Sequence, residues 1–304
     1  MGEGEKIIEC VPNFSEGRNA DIINGIQSSI LAAGEGRLRI LHTDIGHDAN
    51  RTVITFAGEP DAVYKSCLNM AGAALSLIDM RTHTGVHPRI GSLDVLPLVP
   101  VSGISLEECA MMARNLASDI YAQLGVPCFL YEAASPSGRR LEQCRKGEYE
   151  GLRKRLGTPD GPDYGPLTWT PEAGRAGAFV IGARKFLGAV NFNLPPEIPL
   201  GIAREIAATV RTSGRPGKPG TLPCCKSIGW HIEEYGFCQV SCNLTDMEVT
   251  SLKDAYDEIC RVARALGTEV TGIEVIGLLP RFAVKGMEDF VPGEKILENL
   301  LPTD

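Results

Sequence analysis

The order of strand and helix patterns along the chain is the feature that most limits its fold. In each half, apolar alternation and helical periodicity predict strand, helix, strand, strand, helix, strand. In the first half these elements span residues 7–11, 20–33, 38–43, 52–57, 60–78 and 94–99. In the second half they span residues 186–194, 200–211, 227–232, 237–242, 251–266 and 270–279. A βαββαβ order is typical of the ferredoxin-like sandwich, in which two helices cover one face of an antiparallel sheet.

The first half continues into an additional helix, strand and helix. Ser105 and Glu108 form a capping box that opens a helix over 105–124, and Gly125 is placed to end it. A strand over 126–131 and a helix over 139–156 follow, and residues 157–178 have the Gly and Pro content of a long loop. We therefore predict an α+β protein with two domains, 1–178 and 179–304. Each is a ferredoxin-like βαββαβ subdomain, and the first carries an αβα extension.

Charge and hydropathy exclude several classes of partner. The formal net charge is -8 and no long run of Lys or Arg is present, so no nucleic-acid partner is expected. No apolar run reaches the roughly 18 residues of a membrane span, so no membrane partner is expected either. The first six residues are polar and lack the apolar core of a signal peptide, which favours a cytoplasmic location.

Metal binding is not expected from the cysteines or the histidines. The ten cysteines contain no CxxC pair, and their single cluster comprises Cys224, Cys225, Cys238 and Cys242. Adjacent cysteines rarely bind one zinc ion together, which disfavours a structural zinc site. His83 and His87 have the spacing of two ligands on one helix, but Gly85 and Pro88 interrupt a helix there.

Three polar loops at the ends of predicted strands are the candidate sites of chemistry. They span residues 12–17, 44–51 and 81–91, and the chain lacks the usual nucleotide, metalloprotease and serine-hydrolase motifs. An imidazole titrates near neutrality, so His87 is the candidate acid/base residue, with a purely structural role as the alternative. If the loop of Asp44 faces His87, the carboxylate of Asp44 can orient an imidazole; otherwise this loop is an ordinary polar turn.

Five motifs in these loops and around them resemble the formiminotransferase family. They are ECVPNFSEG (9–17), NRTV (50–53), GVHPR (85–89), GVPCFLYE (125–132) and GARKFL (182–187). The resemblance runs from about residue 7 to about residue 280 in the same order. It implies an enzyme of one-carbon metabolism and histidine degradation that moves a formimino group from N-formimino-L-glutamate to N5 of tetrahydrofolate. It further implies a homodimer, with folate bound between two subdomains of each chain.

The resemblance also assigns residues to this reaction. The catalytic histidine of the GxHPR motif falls on His87. The folate-binding stretch falls on Gly165, Pro166, Leu167, Thr168, Trp169, Thr170, Pro171, Glu172, Ala173 and Gly174. We expect this stretch to order on folate binding, with Trp169 stacking on the ligand. The co-substrate is tetrahydrofolate, with or without a polyglutamate tail.

Anion binding needs guanidinium or ammonium groups. We therefore expect Arg51 and Arg89 to bind the carboxylates of formiminoglutamate, and Arg184 and Lys185 to bind the folate tail. Two alternatives stay open, and Val86, which stands where the family has a Glu, supports only the first of them. One is formyl transfer from 5-formyltetrahydrofolate, or a cyclisation; the other is a folate-binding protein without catalysis.

Overall fold

A computed structural model describes residues 6–47, 49–85, 87–233 and 235–301, which divide into two compact units. The units comprise residues Met1–Arg184 and Lys185–Asp304. Residues 1–5, Asp48 in the second polar loop and Val86 in the third lie outside the described residues. Both units combine sheets with helices, so the protein has an α+β fold.

The first unit is built on one sheet, which has seven strands within the described residues. Its elements are β1 (Ile7–Cys10), β2 (Asn13–Phe14), α1 (Ala20–Gly34), β3 (Leu38–Gly46), β4 (Arg51–Gly58), α2 (Pro60–Leu77), β5 (Leu93–Ser102), α3 (Leu106–Leu124), β6 (Cys128–Glu132), α4 (Leu141–Cys144), α5 (Glu148–Leu152), α6 (Pro171–Ala176) and β7 (Phe179–Ala183). From one edge to the other the order is β3, β4, β1 with β2, β5, β7, β6. The pairs β5–β7 and β6–β7 are parallel, whereas the other pairs are antiparallel.

Helix boundaries in this unit follow from local side-chain chemistry. The predicted capping box of α3 is confirmed: the Ser105 hydroxyl accepts from the Glu108 amide, and the Glu108 carboxylate accepts from the Ser105 amide. Gly125 ends α3 in the left-handed region with φ of 69°, as predicted. On α1, Ile23, Ile26 and Ile30 share a buried stripe, so the apolar spacing fixes which face meets the core.

Three features between residues 139 and 184 differ from the prediction. The helix expected over 139–156 is two short helices, α4 and α5, because Gly147 between them takes φ of 75°. The expected loop over 157–178 contains α6, which begins at Pro171 after the Thr170 hydroxyl caps the Ala173 amide. Strand β7 then pairs with β5 and β6, so the first unit extends to Arg184 rather than to residue 178.

The second unit is a smaller sheet with two helices in the part that the structure describes. Its elements are β8 (Gly188–Asn193), α7 (Leu200–Val210), β9 (Cys225–Ile232), β10 (Phe237–Leu244), α8 (Leu252–Ala265) and β11 (Gly272–Ile276), followed by three short 3-10 turns. The strand order is β11, β8, β10, β9, and these pairs are antiparallel. None of the helices in the described residues is long and apolar enough to cross a membrane.

Candidate active site

The three polar loops of the first unit meet around the side chain of Asn50. Its amide oxygen accepts from the Gly17 amide at 2.9 Å, and its amide nitrogen donates to the Thr84 carbonyl at 2.9 Å. Asn50 is buried and takes φ of 48°, a conformation that Asn tolerates better than most residues. One side chain thus joins the loops at residues 12–17, 44–51 and 81–91.

Two glycines allow these loops to approach each other closely. A Cβ on Gly17 would lie 2.5 Å from the Gly46 carbonyl oxygen, and one on Gly85 would lie 2.4 Å from the Ala49 carbonyl oxygen. Any side chain at either position would push backbone against backbone. The segment that carries His87 is therefore held close to the start of β4.

The geometry of His87 sets its tautomer. Its Nδ1 lies 2.8 Å from the Pro88 carbonyl oxygen, which can only accept, so Nδ1 carries the proton and Nε2 carries the lone pair. Burial lowers the pKa of His87 to about 4, and the positive charges of Arg51 and Arg145 act in the same direction. At neutral pH the ring is therefore neutral and able to take a proton at Nε2.

A buried carboxylate with two arginines forms the charged part of this site. Asp94, at the start of β5, is fully buried and accepts from Arg51 at 2.6 Å and from Arg145 at 2.5 Å. Its other oxygen accepts from the Ile90 amide at 2.8 Å. The Asn13 side-chain oxygen accepts from the Nε and Nη2 of Arg51. We call Asp94, Arg51 and Arg145 the arginine cluster.

The arginine cluster carries an excess of positive charge. Burial acts to raise the pKa of Asp94, but the charges of Arg145 and Arg51 outweigh it, so the pKa is lowered and the group stays a carboxylate. Two guanidinium groups then share one negative charge. A site of this kind favours an anionic ligand beside a neutral His87.

His83 and Arg89 form a separate group that supports the loop. The Nε2 of His83 lies 3.0 Å from the Asn50 carbonyl, and its Nδ1 accepts from Arg89 at 3.3 Å. The guanidinium of Arg89 also pairs with Glu148 at 3.1 Å and with Glu150 at 2.6 Å. Arg89 is thus bonded on every side to protein atoms, and this geometry does not support the predicted contact with a substrate carboxylate.

The other predicted residues are placed as follows. Asp44 lies on β3 opposite Val53, and within the described residues its side chain makes no hydrogen bond or ion pair. Its predicted part in orienting His87 is thus taken by the Pro88 carbonyl, and any catalytic role of Asp44 stays a prediction. Arg184 follows β7 and lies near Tyr131, whereas Lys185 begins the second unit and pairs with Asp246 and Glu248.

The predicted folate stretch packs on the first unit. Trp169 is half-buried against a core cluster that includes Ile90 and Phe129. The indole ring of Trp169 packs closely on Gly174, because a Cβ added at Gly174 would lie only 3.3 Å from the indole nitrogen. The Tyr149 hydroxyl donates to the Gly174 carbonyl at 2.6 Å. Leu167 is 80% exposed, which is unusual for so large an apolar side chain. The stretch thus combines a fixed end at α6 with an exposed apolar tip.

Sequence reasoning missed Asp94 and Arg145 as members of the site, and it placed Asn13 in the candidate loop 12–17 without giving it a role. A signal was present for Asp94, because a carboxylate inside an otherwise apolar strand must find buried partners. Arg145 had no such signal, since it fell inside a predicted helix with several other charges. Within the described residues, no group of three or more His, Cys, Asp or Glu side chains could hold a metal ion.

Comparison with known proteins supports the resemblance seen in the motifs. The formiminotransferase domain, N-terminal subdomain, matches residues 7–184, and the formiminotransferase domain matches residues 189–298. Formimidoyltransferase-cyclodeaminase from Gallus gallus is 44% identical over 289 residues, which cover 94% of this chain and 52% of that protein. The same-named protein from Sus scrofa is 44% identical over 90% of this chain and 50% of its own length.

A shorter relative matches from end to end. Glutamate formimidoyltransferase from Streptococcus pyogenes serotype M1 is 37% identical over 97% of this chain and 99% of that protein. By contrast, the chain spans about half the length of the two cyclodeaminase relatives. The two domain matches extend over most of both units and contain four of the five motifs in full, and the chain therefore belongs to the formiminotransferase family.

Proposed function

We propose that this chain transfers a formimino group from N-formimino-L-glutamate to N5 of tetrahydrofolate, with His87 as the general acid and base. The observation that carries the proposal is a neutral imidazole, with its lone pair on Nε2, next to an arginine cluster with excess positive charge. The names of the relatives support the transferred group and the amino acid. The same names support the assignment of this chain to the transferases.

His87 accounts for both proton movements of this reaction. Nε2 takes the proton from N5 of the folate while the bond between N5 and the amidine carbon forms. The same proton then moves from Nε2 to the glutamate nitrogen as the bond from that nitrogen to the carbon breaks. The ring returns to its starting state, because one N–H is lost at N5 and one is gained at the amino acid.

The binding residues divide by charge and shape. We assign the folate to the stretch 165–174, where Trp169 and the exposed Leu167 offer apolar surface to a flat ring. We assign Arg51 to binding of the carboxylates of N-formimino-L-glutamate, and Arg184 to binding of the folate tail. Arg51 shares its acidic partner Asp94 with Arg145, whereas Arg89 and Lys185 each pair with two acidic residues, so Arg89 and Lys185 rank below Arg51 and Arg184.

Four further features belong to the same proposal. Each unit has a βαββαβ run whose fourth strand pairs with its first, which supports a ferredoxin-like arrangement in both. We also propose a homodimer in the cytoplasm, a place in one-carbon metabolism and histidine degradation, and use of tetrahydrofolate with or without a polyglutamate tail. The family assignment is the basis for proposing the pathway and the folate.

The test is an assay of purified protein with N-formimino-L-glutamate and tetrahydrofolate, in which mass spectrometry follows the folate product. His87→Ala is expected to reduce turnover by about two to four orders of magnitude while folate binding, measured by calorimetry, is kept. His231→Ala, an exposed histidine of the second unit, is the matched control and should keep full turnover.

Two other results would point to the alternatives. Transfer seen only with 5-formyltetrahydrofolate would favour formyl chemistry. Folate binding with no turnover from any donor would favour a binding protein. Normal turnover of His87→Ala would exclude His87 as the acid/base residue.

A further inference from the structure

Arg145 has a buried donor that the protein itself does not use. Its Nη2 donates to Asp94, but its Nε is buried and has no hydrogen-bond partner within the described residues. A buried N–H without an acceptor is costly, and such groups in folded proteins usually have a partner. This Nε is therefore available to an acceptor that the protein does not supply.

Arg51 differs from Arg145 in this respect. Its Nε and Nη2 both donate to Asn13 and its Nη1 donates to Asp94, so each edge of the guanidinium has a protein partner. Both arginines are largely buried, with 10% of the Arg51 side chain and 15% of the Arg145 side chain exposed. Arg145 is thus the member of the arginine cluster with a donor to spare.

The backbone that carries Arg145 is fixed by Arg155. The guanidinium of Arg155 donates to the carbonyls of Gln143, Cys144 and Lys146, which lie on both sides of Arg145. Arg155 also stacks over the Phe129 ring at 4.5 Å from its centre. Asp94 holds the far end of the Arg145 side chain, so the Nε–H group is oriented before any ligand binds.

We infer that Arg145 binds the α-carboxylate of the formimino donor through its Nε, with Asp94 holding the guanidinium in place. The inference rests on the proposed function. The excess positive charge of the arginine cluster requires an anion, and the Nε supplies the direction of the contact. The cluster acts electrostatically on His87, and the α-carboxylate is borne by the carbon next to the nitrogen that receives the proton from His87. The γ-carboxylate lies further along the donor.

The experiment pairs a change in the protein with the matching change in the donor. The donors are N-formimino-L-glutamate and 4-formimidoylaminobutyrate, which keeps the chain length and the γ-carboxylate but lacks the α-carboxylate. Arg145→Gln is expected to raise the KM for N-formimino-L-glutamate by about 10- to 100-fold, the range for a hydrogen bond to a charged group. It should leave the KM for the analogue unchanged. Equal changes for both donors, or no change for either, would overturn the inference.

Two further variants guard against a general loss of structure. Arg153→Gln changes an exposed arginine nearby in the chain and should behave as wild type. Arg145→Lys keeps the charge beside Asp94 but not the planar group, and should raise the KM several-fold for the donor with the α-carboxylate only. It replaces Arg145→Gln if that variant does not fold.

Binding of the product amino acid separates this inference from the proposed function. Calorimetry with L-glutamate and 4-aminobutyrate needs no turnover. If Arg145→Gln loses affinity for L-glutamate but not for 4-aminobutyrate, the inference is supported even if the wild type transfers no formimino group. The opposite result is that the wild type transfers the formimino group, but wild type and Arg145→Gln prefer L-glutamate over 4-aminobutyrate by the same factor. This result would keep the proposed function and refute the inference.

Discussion

Replacing Asp94 by Asn tests whether one buried charge holds the site together. Asn keeps an oxygen that can accept from the Ile90 amide, 2.8 Å away in the wild type, so the backbone contact is retained. The variant loses the negative charge that Arg51 and Arg145 share at 2.6 Å and 2.5 Å. Breaking a buried pair leaves uncompensated charge, so the free energy of unfolding should fall by about 3 to 5 kcal/mol.

Asp163 offers a matched control for this change. It also accepts from a backbone amide, that of Leu130 at 2.7 Å, and pairs with an arginine, Arg139 at 2.7 Å. However, it has a single arginine partner and 23% of its side chain is exposed, so Asp163→Asn should cost about 1 kcal/mol. In an Arg145→Gln background, Asp94→Asn should cost about 1 to 3 kcal/mol less, because one cation fewer is left unpaired.

Urea unfolding followed by tryptophan fluorescence measures these differences. The chain has two tryptophans, Trp169 in the first unit and Trp230 in the second, so a Trp230→Phe background reports the first unit alone. The reasoning fails if Asp94→Asn costs no more than Asp163→Asn. It also fails if the cost is the same with and without Arg145.

Three other changes probe His87, Trp169 and Arg89. The pKa of His87 is lowered from 6.5 to about 4, so the unfolded chain binds a proton first as pH falls below 6.5. Relative to His87→Gln, the wild type should therefore keep its full free energy of unfolding above pH 6.5. Its free energy of unfolding should fall by about 2 to 3 kcal/mol as the pH falls to about 4. If urea unfolding shows the same pH dependence for both proteins, the low pKa of His87 is contradicted. Trp169→Ala should weaken tetrahydrofolate binding by about 1 to 3 kcal/mol, and equal affinities in calorimetry would remove the stacking role. Arg89→Gln should lower the free energy of unfolding by about 2 to 4 kcal/mol and leave the donor KM unchanged, and a tenfold rise in KM would restore Arg89 as a substrate residue.

Elements with long, regular patterns could be predicted from the sequence. Helices α1, α2, α3, α7 and α8 each carry an apolar stripe or a cap that local chemistry makes visible. The helix predicted over 139–156 could not be divided correctly, because the break depends on the positive φ at Gly147 and on tertiary packing. Strand β7 was missed because its five residues are all buried, so the sequence shows no alternation of apolar and polar residues. It lies between β5 and β6 and pairs with both in parallel.

The site was predictable only where its parts lie close together in the chain. The His87 loop stood out from its own composition, and Arg51 stood out from the polar turn before β4. Arg145 and Asp94 are 51 residues apart and Arg51 and Asp94 are 43 apart, so no local pattern connects them. Arg89 illustrates the opposite error, since an arginine next to a histidine suggested anion binding while Glu148 and Glu150 already occupy it.

The two arginines of the cluster add to the effect of burial in lowering the pKa of His87, which leads to a prediction about turnover. Burial and two positive charges hold the pKa of the ring near 4, where it is a weak base. A carboxylate bound at Arg145 offsets one of these charges and raises the pKa, because a nearby opposite charge favours the protonated form. Imidazole transfers protons best when its pKa is close to the working pH. With the wild type, 4-formimidoylaminobutyrate should therefore show a lower kcat as well as a higher KM than N-formimino-L-glutamate. Arg145→Gln should raise the kcat for this analogue, because the missing guanidinium no longer depresses the pKa of His87. A kcat for the analogue that falls in Arg145→Gln would show that the guanidinium acts on the reaction by some other route.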